Sequence, residues 1–252
     1  MHPDLARNPR RFRLHRLALA ILLITTGAGL GAGCSRRSAE RPASPAAADT
    51  LANGLPRAMV PALSAWTAMW QAAIPGFTPE SLAGGTWSPA LRGGDVQPLK
   101  NFYPAAPEEQ ATFEVLSALS PNGRYRLVFD WYQEIVEEEG GIEIGGEPDS
   151  APLLLDLRLG SSNVFEFCGT YCGYDWGCWM DSTRFALAGW SEATEGSESY
   201  SGFLGLYSLA DSSQQSFITR PVSKDGYEKY RAAWEAWVKD RYRTWKSTRR
   251  RA

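Results

Sequence analysis

The chain has 252 residues and a formal net charge of −2, and its two histidines, His2 and His15, both lie within the first 33 residues. Residues 34–252 therefore contain no imidazole, which excludes Ser-His-Asp and Cys-His catalysis and removes the commonest neutral metal ligand from that part. Without the five arginines and one aspartate of residues 1–33, 21 basic side chains stand against 27 acidic ones, and this net charge of −6 argues against nucleic-acid binding.

The first 34 residues have the three parts of a secretory signal. Five arginines form a basic leader, residues 17–30 form a short apolar run, and Gly31, Ala32 and Gly33 precede Cys34. This pattern resembles the lipobox of bacterial lipoproteins, although that family prefers leucine where this chain has Gly31. The resemblance implies cleavage after Gly33 and attachment of a diacylglycerol to the Cys34 thiol. An ordinary cleaved signal or an uncleaved anchor, with Cys34 incidental, is the alternative.

Composition divides the chain into three regions, of which residues 1–33 are the signal peptide. Residues 34–55 are rich in Ala, Ser and Pro and predict a disordered tether, and residues 56–252 predict a single globular domain. The resemblance places this domain in the bacterial cell envelope, held to the membrane through Cys34 and facing the periplasm. In the terms of this family, Ser35 in the position after the lipidated cysteine is compatible with sorting to the outer membrane, so the resemblance favours the outer over the inner membrane.

Two amphipathic helices are predicted at the ends of the globular domain. Residues 61–74 place Trp66, Met69 and Trp70 at helical spacing, and residues 225–246 carry an aromatic stripe. We expect the second helix to cover a sheet, since an exposed sheet face must be buried, with an interfacial membrane helix as the alternative. Its basic C-terminal end reads as a solvated helix end or as a contact for anionic lipid.

Between these helices, residues 111–222 predict an antiparallel strand meander and hence an α+β fold. Apolar and polar residues alternate there with a period of two. Arg184, Phe185 and Leu187 follow Arg124, Tyr125 and Leu127 by 60 positions, and Phe203 and Leu204 follow Leu153 and Leu154 by 50. Two blade-like repeats explain this spacing, with chance similarity between amphipathic strands as the alternative.

Two acidic segments interrupt the repeats. In an envelope protein a solvated, mobile hairpin tip is the simplest interpretation, because calcium loops alternate their ligands around a central glycine and these segments do not. The acidic residues are Glu134, Glu137, Glu138, Glu139, Glu143, Glu147 and Asp149 in the first segment and Glu192, Glu195 and Glu198 in the second.

Three cysteines remain once Cys34 is assigned to lipid. Cys168, Cys172 and Cys178 lie in what reads as one glycine-rich loop, and an oxidising compartment favours one disulfide and one buried thiol. Zinc would need Asp175 or Asp181 as a fourth ligand, and a redox-active thiol would need a nearby base. We therefore predict no metal and no cofactor.

The sequence favours a non-catalytic interaction or structural module over two other functions. The first alternative is an envelope glycan or peptide site on an aromatic loop formed by Tyr171, Tyr174, Trp176 and Trp179, residues that could equally be core. The second is a carboxylate-dependent hydrolase, for which no pair of acids stands out. The expected partners are the membrane and an envelope protein or glycan.

Overall fold

The computed structural model describes residues 49–85, 88–89, 96–98, 107–146, 148–164, 166–194 and 196–249, which belong to one compact unit. The predicted signal, Cys34 and most of the predicted tether lie outside these residues. None of the helices in the described ranges is both long and apolar enough to cross a bilayer.

The folded region begins earlier than the predicted boundary at residue 55. Leu51 and Leu55 are buried in the main hydrophobic core, and Thr50 pairs with Pro56 in an isolated bridge. The Leu51 N–H also donates to the Leu55 carbonyl at 2.8 Å. Two isolated leucines do not form a periodic apolar pattern, so the sequence does not indicate that this segment is folded. The predicted tether therefore includes residues that belong to the domain.

Both predicted helices are present. Helix α1 spans Ser64–Ala73, and it buries Trp66, Met69 and Trp70. The C-terminal helix, Lys224–Arg249, has a buried face made of Gly226, Tyr230, Trp234, Val238 and Tyr242. Short 3-10 helices occupy Arg57–Met59 and Pro79–Ser81.

A third helix between these two was not predicted. Helix α2 spans Pro107–Val115, so the C-terminal helix is α3, and the meander begins after residue 115 rather than at 111. Proline at the start and acidic residues in the first turn suit a helix N-terminus. The helix ends with Val115 and Leu116 buried in the core.

The described strands form two main antiparallel sheets and a separate hairpin. The strands are β1 Ala83–Gly84, β2 Ser88–Pro89, β3 Val96–Pro98, β4 Ser117–Leu119, β5 Tyr125–Val128, β6 Gln133–Glu138, β7 Gly141–Gly146, β8 Leu153–Asp156, β9 Ser161–Val164, β10 Cys172–Trp179, β11 Arg184–Glu192, β12 Ser199–Ser208, β13 Ser213–Ile218 and β14 Val222–Ser223. The seven-stranded sheet has the order β1-β13-β12-β11-β10, with β2 on β13 and β14 on β12. The five-stranded sheet has the order β3-β9-β8-β5-β4, and β6 pairs only with β7.

Each main sheet contains a four-stranded meander, and a strand from earlier in the chain pairs with the last strand of that meander. Strands β4, β5, β8 and β9 form the first meander, whose last strand pairs with β3; strands β10 to β13 form the second, whose last strand pairs with β1. The β6–β7 hairpin is inserted between β5 and β8. This arrangement matches the predicted antiparallel meander of an α+β fold.

The two meanders end in hairpins with turns of the same length. Asp156 pairs with Ser161 across the β8–β9 turn, and Ser208 pairs with Ser213 across the β12–β13 turn. Equivalent residues of these hairpins are therefore 52 positions apart, whereas the sequence comparison aligned residues 50 positions apart. A difference of two residues keeps every side chain on the same face of a strand, so both alignments have the same alternation.

Helices α1 and α3 cover one face of the seven-stranded sheet. The rings of Trp70 and Tyr230 stack at 4.3 Å between centroids. A Cβ at Gly202 of β12 would lie 2.4 Å from the Trp70 ring, so the indole packs directly on the strand backbone. The aromatic stripe of α3 thus packs inside the domain.

Candidate functional site

The three cysteines divide into one disulfide and one free thiol. Cys168 and Cys172 are bonded, and Cys178 is free and half-buried. Burial raises the pKa of the Cys178 thiol to about 12, so it remains protonated at neutral pH. No cluster of three metal-ligating side chains occurs within the ranges that the structure describes.

The two aspartates considered as zinc ligands have other partners. Asp181 accepts hydrogen bonds from the backbone N–H groups of Thr183 and Arg184 in a turn. Asp175 is buried and forms an ion pair with Arg231. Both carboxylates therefore serve the fold.

The four aromatic residues predicted to form one loop platform do not share a surface. Residues 172–179 form strand β10, where Trp176 and Tyr174 are buried, and Trp179 donates its indole N–H to the Ala118 carbonyl at 2.9 Å. Only Tyr171, which precedes the strand, is exposed. Strand β10 is covered on both faces, by helix α3 and by the five-stranded sheet, and such strands lack a simple alternation.

A short exposed loop lies immediately before this strand. We call residues 167–172 the disulfide loop, because the Cys168–Cys172 bond closes it. Phe167 exposes 61% of its surface and Tyr171 exposes 45%. Sequence reasoning missed Phe167, since its position in the alternating pattern resembled that of a strand residue.

The disulfide loop is held by a buried polar network. The backbone of Cys168 exchanges two hydrogen bonds with that of Ser150, each of 2.9 Å. The Ser150 hydroxyl donates to Asp130 at 2.6 Å and accepts from the Tyr174 N–H at 3.1 Å. Burial raises the pKa of Asp130 to about 6, against hydrogen bonds that lower it. The network therefore ties the loop to both sheets.

Glu166, the residue before the disulfide loop, is itself held in place by hydrogen bonds. Its carboxylate accepts hydrogen bonds from the hydroxyls of Tyr174 and Tyr207, the second at 2.8 Å. Burial, reinforced by the Glu166 charge, raises the pKa of both tyrosines above its ordinary value. Two neutral donors therefore hold one carboxylate against the seven-stranded sheet.

The first acidic segment forms the β6–β7 hairpin, whose tip is exposed as predicted, and one of its acids also contacts helix α3. Glu137 of β6 accepts from the Tyr242 hydroxyl at 3.2 Å and binds Lys246, and the neighbouring Ile135 is buried. Glu147 and Glu195 of the predicted segments lie outside the described residues. Lys246, at the basic end of α3, is thus paired with an acid of the same domain.

A second acid takes part in this contact. Glu114 of α2 accepts from the Trp245 indole N–H at 2.7 Å and from Arg249 at 2.8 Å. The acidic and basic segments that the sequence presents separately therefore bind each other.

The buried acids Asp130 and Asp175 and the half-buried Glu166 all accept hydrogen bonds from side chains of the fold. Neither a family model, nor a curated protein, nor a solved structure matches the chain.

Proposed function

We propose that this chain is a lipid-tethered, non-catalytic interaction module of the bacterial cell envelope, and that the disulfide loop is its contact surface. The observation that carries the proposal is the pair of exposed aromatic side chains, Phe167 and Tyr171, on one covalently closed loop. The partner is an envelope protein with an apolar recess.

The rigidity of the loop supports a binding role. Aromatic side chains supply large contact areas and dominate the energetics of many interfaces. Association also costs the entropy of ordering the contacting loops, and preorganisation lowers this cost. Here the disulfide, the Ser150 pairing and the Glu166 contacts order the loop before any partner arrives.

Two features support a role without catalysis. Residues 34–252 contain no histidine. The buried carboxylates Asp130 and Asp175 and the half-buried Glu166 each accept hydrogen bonds from side chains of the fold, which leaves them poorly placed to transfer protons to a substrate.

The leader supports the tether. Its resemblance to the lipobox makes Cys34 the attachment point, and more than one acyl chain is needed for stable anchoring. Fourteen residues separate Cys34 from Asp49, the first described residue. At full extension they reach at most about 50 Å, so the module would stay close to the membrane surface.

In-cell crosslinking followed by mass spectrometry tests the contact surface. The double variant Phe167→Ser, Tyr171→Ser should lose the crosslinked partner, because it removes both aromatic contacts and leaves the disulfide in place. Leu159→Ser is the matched control, since Leu159 is a large apolar residue that is 70% exposed in a different turn. Unchanged crosslinks in the double variant would contradict the proposal.

Two further measurements separate the remaining alternatives. If the partner is a glycan, glycan fragments should change the tryptophan fluorescence of the wild-type chain, and protein crosslinks should be absent. For the tether, Cys34→Ser should release the protein from membranes into high salt, whereas wild type should require detergent. Release of wild type by salt alone would exclude the lipid anchor.

A further inference from the structure

Arg241 differs from most of the other cations of helix α3. Six of those cations bind acids: Lys224 with Glu198, Lys229 with Asp225, Arg231 with Asp175, Lys239 with Glu235, Lys246 with Glu137 and Arg249 with Glu114. Within the described part of the chain Arg241 forms no ion pair. Its contacts are the Ser117 carbonyl at 3.4 Å and the Trp237 ring, whose centroid lies 4.8 Å from the guanidinium.

Arg241 is partly removed from water, and none of the acids in the described ranges forms an ion pair with it. The side chain is half-buried between α3 and the five-stranded sheet, and burial lowers the pKa of its guanidinium. A guanidinium has five N–H donors in a fixed fork, and a single long bond to a neutral carbonyl satisfies few of them. Such a group favours a carboxylate that can accept two parallel bonds.

A cavity lies beside this guanidinium, between helices α2 and α3. Its volume is about 300 Å³, at the small end of the range for ligand pockets. It is lined by Glu114, Val115, Asp240, Arg241, Thr244 and Trp245.

The lining carries charges of both signs. Glu114 already binds Arg249 and the Trp245 indole N–H, so its charge is countered inside the domain. Arg241 and the exposed Asp240 remain as one positive and one negative group at the cavity. Val115 and Trp245 provide an apolar wall.

We propose that this cavity binds a zwitterionic ligand of amino-acid size. The ligand carboxylate binds the Arg241 guanidinium, and its ammonium group binds the Asp240 carboxylate. A simple anion would be repelled by Asp240, and a simple cation by Arg241. The site lies on other elements than the disulfide loop, so it is independent of the function proposed above.

Isothermal titration calorimetry of the folded chain tests this site with four probes. Leucine and glycine should both bind, because each carries both charged groups. Leucinamide, which lacks the carboxylate, and N-acetyl-leucine, which lacks the ammonium group, should each bind at least about tenfold more weakly, as expected for loss of a charge-assisted bond.

Variants assign the two contacts. Arg241→Gln should weaken leucine binding by roughly tenfold to a hundredfold, whereas Arg243→Gln, the same change at an exposed arginine on this helix, should leave it unchanged. Asp240→Asn should weaken leucine binding and abolish the preference for leucine over N-acetyl-leucine. Thermal unfolding of each variant verifies that it is folded.

Several results would overturn the proposal. The cavity is not a ligand site if neither leucine nor glycine binds at concentrations up to roughly 10 mM, well above the range of a millimolar site. Equal binding of N-acetyl-leucine and leucine to wild type would show an anion site rather than a zwitterion site. Unchanged leucine binding in a folded Arg241→Gln variant would place the ligand elsewhere.

Discussion

Replacing Arg231 by methionine isolates the contribution of the buried ion pair on helix α3. The Arg231 guanidinium donates to Asp175 at 3.0 Å and lies 4.0 Å from the centroid of the Trp234 ring. Asp175 also accepts from the Tyr230 hydroxyl at 2.9 Å, and its side chain is only 4% exposed. Methionine keeps most of the apolar part of the arginine side chain and removes only the charged guanidinium group with its N–H donors.

We expect the variant to lose about 2–4 kcal/mol of unfolding free energy at neutral pH. Breaking a fully buried pair costs about 3–5 kcal/mol because it leaves an uncompensated charge. The Arg231 side chain is 26% exposed, so water screens part of its interaction with Asp175 and reduces this cost to about 2–3 kcal/mol. The lost contact with Trp234 adds about 0.5–1 kcal/mol.

The pH dependence of this loss gives a second test. Burial raises the pKa of Asp175 above its ordinary value, while Arg231 lowers it. Without Arg231, the pKa of Asp175 in the folded chain rises further. A carboxyl group with a raised pKa stabilises the fold at low pH, and this stabilisation is lost as the pH rises through the raised value. The loss in Arg231→Met should therefore be small below about pH 4, near the unfolded pKa of an aspartate, and should grow towards neutral pH.

Urea unfolding followed by tryptophan fluorescence from pH 4 to pH 8 measures both effects. The double variant Arg231→Met, Asp175→Asn should recover part of the loss, because no buried charge remains. Arg241→Met on the same helix should cost little, since Arg241 pairs with no described acid. An Arg231→Met variant as stable as wild type at pH 7, or a loss that does not change with pH, would refute this account of the pair.

Three further changes test other parts of the fold. The pKa of Asp130 is about 6 in the folded chain, against an ordinary value of 3.8. Its contribution to the free energy of unfolding, up to about 3 kcal/mol, is therefore present below about pH 4 and lost as the pH rises through 6. Asp130→Asn should flatten this dependence of stability on pH in urea unfolding. Gly202→Ala should cost about 1–3 kcal/mol in thermal unfolding because its Cβ would meet the Trp70 ring, whereas Gly140→Ala, with open space around its Cβ, should be close to neutral. Glu137→Gln should cost less than about 1 kcal/mol, and this cost should vanish at high salt if the contact is an exposed ion pair.

The helices with a strong period were predictable from the sequence, and the weakly patterned one was not. Trp66 and Trp70 mark α1 because the two rings are one helical turn apart and lie on the same buried face. Helix α2 has no comparable stripe, and much of its helical content follows from contacts with α3 and β6 that lie far away in sequence. Tertiary packing therefore decided the structure of that segment.

The proposed contact surface was less predictable than the fold. The glycines of residues 168–178 suggested a loop, yet most of this segment is a strand buried on both faces. The contact between Glu166 and Tyr207 spans 41 positions, and the contact between Glu137 and Lys246 spans 109. No local pattern specifies pairs at such separations.

The place of the disulfide loop in the repeat explains why it can be both rigid and exposed. The loop connects β9, the last strand of the first meander, to β10, the first strand of the second. A connection between two sheets needs fixed ends, and Glu166, Cys168 and Cys172 provide them through hydrogen bonds and a covalent bond. The side chains of Phe167 and Tyr171 take no part in fixing these ends. They are therefore the residues of this connection that can change without loss of the fold, which a contact surface of the kind proposed here requires.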